Sequence, residues 1–234
     1  MSKFVYAALF SAAFVVSGTV QSHAVTLDFE GPSSGNIDGD EFLGAFGLTI
    51  TGFDKDGVET QLALFNSSCD GGPGNDSFPD CTGDDDDLAS GDPYGTDPQG
   101  NVLIIQENGG EPDDSAQGGS WLFSFLAPVT VTAVELLDLD RNPRGLSFDF
   151  AYEGGASSDD VAPLSEQLLS NDTGNNSLTR FTFEEFNVVS LKINLYDSGA
   201  VASVDFTPVP LPAGLPLLVA GLGALGLMRR RKRS

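Results

Sequence analysis

Acidic side chains dominate the residues of this chain that could do chemistry. In 234 residues, 34 Asp and Glu stand against 11 Lys and Arg, with one His and two Cys. Hard oxygen donors in such excess suit calcium, which takes about six to eight of them at about 2.3–2.6 Å. Three places offer a set. Asp28 and Glu30 alternate with Leu27 and Phe29 near the start, and Asp205 alternates with Val204 and Phe206 near the end. If those two runs are strands that pair, the three carboxylates share a face and converge. Asp138, Asp140 and Asn142 have the spacing of the start of an EF-hand loop, but Pro143 stands where that loop needs glycine. The third place is the stretch 70–97, which contains four consecutive aspartates, Asp84 to Asp87. A solvated acidic edge is the plainer alternative for each set.

Charge and composition exclude other chemistry. A field this negative repels polyanions, so no nucleic-acid partner is expected. His23 is the only histidine and stands close to the N-terminus, so the body of the chain has no imidazole for Ser-His-Asp or Cys-His catalysis or for a zinc site. The enzyme option that survives is a carboxylate pair acting on glycosidic bonds. Cys69 and Cys81 are expected to form a disulfide, closing a loop of about 13 residues and stabilising by roughly 3 kcal/mol. A pair of thiol metal ligands is the alternative, but no second pair is present to complete the site. For carbohydrate binding, Tyr94, Tyr152 and Tyr196 are the candidates for stacking, whereas Trp121 alternates with Phe123 and Phe125 and reads as core.

The two ends have their own patterns. Residues 1–24 read as a secretory signal: Lys3, an apolar run over 4–16, and the small-residue site Ser22-His23-Ala24, with cleavage before Val25. At the other end, Val209-Pro210-Leu211-Pro212-Ala213 precedes an apolar run over 215–228 and the basic cluster 229–233. As a helix that run is about 22 Å long, short of a bilayer core of about 30 Å unless the bilayer thins or the arginines snorkel. The basic cluster is expected to stay cytoplasmic.

Motif, apolar run and arginine cluster, in that order, resemble the PEP-CTERM class of bacterial sorting signals in its VPLPA variant. The resemblance covers residues 209–234. It implies recognition by an exosortase-like membrane transpeptidase, transient anchoring in the inner membrane, and delivery to the Gram-negative surface or its exopolysaccharide matrix. An ordinary tail anchor is the alternative. Removing both ends leaves residues 25–208, which carry all 34 acidic residues and only Lys55, Arg141, Arg144, Arg180 and Lys192 as bases, a net charge of −29.

These residues are to be positioned by strands. Apolar alternation marks strands over 25–30, 41–53, 58–65, 102–106, 120–126, 129–139, 145–152, 178–183, 188–196 and 200–206. Only 162–170 suggests a short helix, and an irregular acidic loop occupies 66–100. The pattern predicts an all-β fold, an antiparallel β-sandwich or jelly roll. The Asp28-Phe29-Glu30-Gly31 start, the strand 100–105 and Leu136-Leu137-Asp138-Leu139-Asp140 resemble a β-sandwich domain of exported PEP-CTERM-type proteins. That resemblance implies a fold akin to carbohydrate-binding modules, often with calcium. The function expected is an exported surface or matrix protein binding calcium, extracellular polysaccharide or both. The alternatives are a glycoside-acting enzyme and a purely structural matrix protein.

Overall fold

Alternating apolar residues dictate strands through most of this chain, and the computed structural model is built almost wholly of them. It describes residues 22–68, 87–107, 110, 112–139, 146–169 and 175–209. The order is β1 (Val25–Leu27), β2 (Gly35–Ile37), helical turn α1 (Leu43–Phe46), β3 (Leu48–Asp54), β4 (Glu59–Thr60), β5 (Leu62–Asn66) and β6 (Asn101–Ile105). There follow β7 (Gly119–Leu137), β8 (Ser147–Tyr152), β9 (Ser157–Ser158), β10 (Ser165–Leu168), β11 (Leu178–Leu195) and β12 (Ala200–Pro208). All pairings between these strands are antiparallel, with the main order β2-β5-β6-β12-β7-β11-β8-β9. β1 adds to β12, β10 to β11, and β3 to β7, with β4 on β3.

The central feature is the β7–β11 ladder. Leu178 pairs with Leu137 at one end and Leu195 with Gly119 at the other. A straight ladder of this length would span about 60 Å. Yet β12 begins at Ala200, beside Leu137, only five residues after Leu195, a reach of about 18 Å at most. The ladder therefore doubles back on itself. It bends where its register shifts, between Thr182 and Ser190 on β11, because each bulge adds twist and bend. On β7 the bend falls at Leu126–Ala127–Pro128, where no residue pairs with β11 and proline costs no ladder bond. The sequence pattern reads β7 and β11 as two strands each; each is one strand bent at that break.

Folding over places Trp121, Phe123 and Phe125 from the first half of β7 in one cluster with Val129, Val131 and Val134 from the second half. Trp121 is 1 % exposed, as its alternation predicts. β5 and β6 are buried on both faces: Leu64 and Leu103 face this cluster, while Phe65 and Ile104 belong to a second one that Leu88 completes. Their unbroken apolar runs are the signature of a doubly covered strand. At the rejoined ends, Gly118 (φ +69°) passes so close that a Cβ there would collide with the carbonyl of Leu195.

Several local expectations are corrected. The helix expected over 162–170 is not formed over its described residues, 162–169: Ser165–Leu168 pairs with β11 over Thr179–Thr182, and the Ser165 and Thr182 hydroxyls bond at 2.6 Å. An open edge of β11 outweighs the helical propensity of so short a segment. The run 41–53 is not one strand, because α1 is closed by Gly47 in the left-handed region before β3 starts. The first strand stops at Leu27, and Phe29 (φ 60°) turns the chain away. The last part of the 66–100 loop is packed: Leu88 and Ala89 are fully buried, and Ser67 and Ser90 bond to each other at 2.8 Å.

Candidate functional site

Because the ladder doubles back, the end of β7, the start of β11, the β11–β12 turn and the segments around residues 87–90 and 112–118 meet at one corner. Asp138 sits there at φ 61°, just past β7, with 3 % of its surface exposed. Its backbone N–H donates to Ser177 O at 2.8 Å. One carboxylate oxygen accepts from the Ser198 hydroxyl at 2.9 Å, the other from the Asn176 N–H at 3.3 Å. Asp114, equally buried, accepts the Gly199 N–H at 2.6 Å. Asp87 accepts Asn175 Nδ2 on its carboxylate at 3.0 Å and the Asn176 N–H on its carbonyl at 2.9 Å.

Two buried carboxyls, Asp138 and Asp114, thus share this corner with the half-buried Asp87. Burial, then the charge of Asp87 and that of Asp114, push the Asp138 carboxyl up to about 7, against the opposing hydrogen bonds from Ser198 and Asn176. Asp138 is a group that exchanges a proton near neutrality. It is sealed from solvent, whereas the cleft of about 330 Å³ elsewhere on the body is lined by Asp38, Glu59, Thr60 and Gln61 over Ile50 and Leu62.

The first candidate set behaves differently from its expectation. β1 and β12 do pair, with Thr26 opposite Asp205. Asp205 is held by Arg180 on one oxygen and by the Thr26 hydroxyl, at 2.6 Å, on the other. Arg180 also binds Glu135, whose second oxygen accepts from Ser203 at 3.1 Å. Glu30 points elsewhere and accepts the Asn101 N–H at 2.7 Å, while Asp28 accepts the Glu30 N–H at 3.3 Å. The guanidinium already supplies the positive charge at Asp205, so Asp28, Glu30 and Asp205 do not fit a calcium cage. Among the described residues no group of three His, Cys, Asp or Glu side chains is arranged to hold a metal ion.

Of the second set only Asp138 is described; Asp140 and Asn142 lie outside the described residues, as do Cys69 and Cys81, most of the 70–97 stretch, residues 1–21, Pro210, Leu211, Pro212, Ala213 and the apolar run 215–228. No helix among the described residues is long and apolar enough to cross a membrane. Ala24 is exposed, Val25 opens β1, and the Val209 N–H donates to Pro128 O at 3.0 Å. Tyr196 is 61 % exposed, Tyr94 is half-buried, and Tyr152 donates its hydroxyl to Glu185 at 2.7 Å.

The Arg180–Glu135–Asp205 group was not anticipated from the sequence. Its signal is the rarity of cations: one of five bases among 34 acids is bound to be claimed by carboxylates.

No protein-family model, curated protein or solved structure matches the chain.

The raised Asp138 group fixes a direction for stability against pH. Its folded value, about 7, exceeds the ordinary 3.8, so stability from this group is whole below about pH 4 and lost as pH rises through 7. Asp138→Asn removes the charge at nearly constant shape. Thermal melts of the full chain are expected to show the variant gaining on the parent at pH 8, by up to about 4 kcal/mol, with the gain shrinking towards pH 4. A difference independent of pH would contradict the assignment.

Proposed function

We propose that the chain is an exported protein of the Gram-negative cell surface or extracellular matrix. It carries a non-catalytic binding domain of β-sandwich, jelly-roll type and is processed by an exosortase-like membrane transpeptidase. The observation that carries this reading is that the first and last described strands start and end at the two processing points read from the sequence. β1 begins at Val25, the residue that follows cleavage after Ala24. β12 ends at Pro208, one residue before the motif that starts at Val209. Losing both ends leaves every described strand whole. Val25 lies opposite Phe206, and the Ser22 hydroxyl donates to Pro208 O, so the two points are neighbours on the body. A domain held at one membrane through either end gains from that placement.

The sandwich form is supported by ring contacts between each half of the doubled ladder and a strand paired to the other half: Phe125 of β7 with Phe206 of β12, and Phe183 of β11 with Phe148 of β8. Non-catalytic binding is supported by the histidine-free body and by the position of Asp138 away from the cleft. Calcium enters as a second reading, favoured by the buried Asp138 carboxyl, from which the chain runs on to Asp140 and Asn142.

Two measurements test this. Expressed in a Gram-negative host with an exosortase, the protein recovered from the envelope or medium should have an intact mass that starts at Val25 and lacks the 229–233 cluster. A folded cytosolic product still starting at Met1 would overturn the export reading. Calcium at pH 7.5 should raise the melting midpoint of the full chain and a chelator reverse it, since binding only the folded state must stabilise. An unchanged midpoint removes calcium from the account.

A further inference from the structure

The folded ladder leaves one broad sheet face outward. Its strands run β3, first half of β7, second half of β11, β8, and their registers align the side chains in rows. Thr49, Ser124, Ser190 and Ala151 form one row; Thr51, Leu122, Lys192 and Asp149 the next; Phe53, Ser120, Asn194 and Ser147 the third. Four strands at about 4.8 Å make a platform about 14 Å across, with rows about 6.8 Å apart.

Two properties single it out. Charge is the first: in a body with 34 acids and five bases, these rows hold one of each, Asp149 and Lys192. The second is free hydrogen-bonding capacity. The hydroxyls of Thr49, Thr51, Ser124 and Ser190 bond to no protein group among the described residues, and these four residues are half-buried. Beside the other half of the ladder, Thr26 on β1 and Ser203 on β12 donate to the Asp205 and Glu135 carboxylates, and Thr132 on β7 donates to the Asp205 carbonyl. Lys192 lies over the Phe53 ring, 5.5 Å from its centroid, and Asn194 Nδ2 donates to Ser147 at 3.0 Å and to Asp149 at 2.8 Å.

We propose that this face is the docking platform for an uncharged polysaccharide, lying across the strands and exchanging hydrogen bonds with the rowed hydroxyls. The inference rests on the matrix-binding reading above and gives that reading its surface and its ligand class. An anionic polymer meets repulsion from the body around the platform. A protein partner needs a cluster of large apolar anchors, and the rows offer only Leu122 and a Phe53 already covered by Lys192. A neutral polyhydroxyl chain matches both the local charge balance and the donor–acceptor character of the hydroxyls.

The test is native affinity electrophoresis of the full chain in non-ionic detergent, in gels containing laminarin, dextran, hydroxyethylcellulose or alginate. At least one of the three uncharged polymers should retard the protein, and alginate should not. Ser124→Glu and, separately, Ser190→Lys should weaken the retardation on the order of tenfold or more, while Gln167→Glu on the exposed strand β10 leaves it unchanged; thermal melts certify that each variant is folded. Retardation by alginate alone, retardation untouched in both folded platform variants, or none with any polymer would overturn the platform. The last result, obtained with a correctly exported and processed protein, leaves the export reading standing.

Discussion

A paired strand ladder about 60 Å long cannot stay straight in a body of this size without leaving one whole face of phenylalanines in water. Doubling back removes that face from solvent against itself, and the rest of the structure follows from it. Phe148 lies opposite Ile193 in the second half of β11, yet its ring is 5.2 Å from Phe181 in the first half and 4.8 Å from Phe183. Phe125, in the first half of β7, likewise meets Phe206, which lies on β12 opposite Val131 in the second half, at 5.2 Å. Each buried ring contributes about 1.5–3 kcal/mol, and each ring pair about 0.5–1.5 kcal/mol beyond its area. Against this stand the bulges on β11 and two apolar residues left in solvent near the bend, Leu126 at 74 % and Phe186 at 59 % exposure.

The same fold-over explains what the acidic residues do. Most described carboxylates with a clear role accept backbone N–H groups where the chain turns: Glu41 at Asp38 and Gly39, Asp54 at Asp56 and Val58, Glu30 at Asn101, Asp114 at Gly199. A carboxylate takes two such bonds readily, and bonds to a charged acceptor are stronger than neutral ones. Where two carboxylates share one site, Arg180 stands between them. At Asp138, where no ion pair among the described residues supplies a cation, the carboxyl is driven towards its neutral form instead. The acid excess is therefore partly architectural, and the outward face of the first half-ladder is the region it avoids.

The all-β class and most strand positions were legible in the sequence, because the alternation that places Phe148 and Phe150 inward and Asp149 outward is a local signal. The bend was legible only as an interruption: Pro128 and the stretch 184–187 read as breaks between strands, and nothing local says that the chain continues through them. The helix expected over 162–170 failed because an unpaired strand edge, a non-local feature, decided that segment. Site residues were legible by type but not by partner. Asp205 was placed correctly on the strand beside β1, but its cation is Arg180, some 25 residues away in sequence. Asp114 gained its significance only when the two ends of the ladder met.

Ring-to-ring nuclear Overhauser contacts in the isotopically labelled protein test the doubled ladder most directly. In a straight ladder Phe148 and Phe181 would lie about 40 Å apart, twelve residues along β11, far beyond the range of the effect. The account predicts clear cross-peaks between Phe148 and Phe181 and between Phe125 and Phe206. Their absence, with Phe148 in contact only with its neighbours around Ile193, would contradict it.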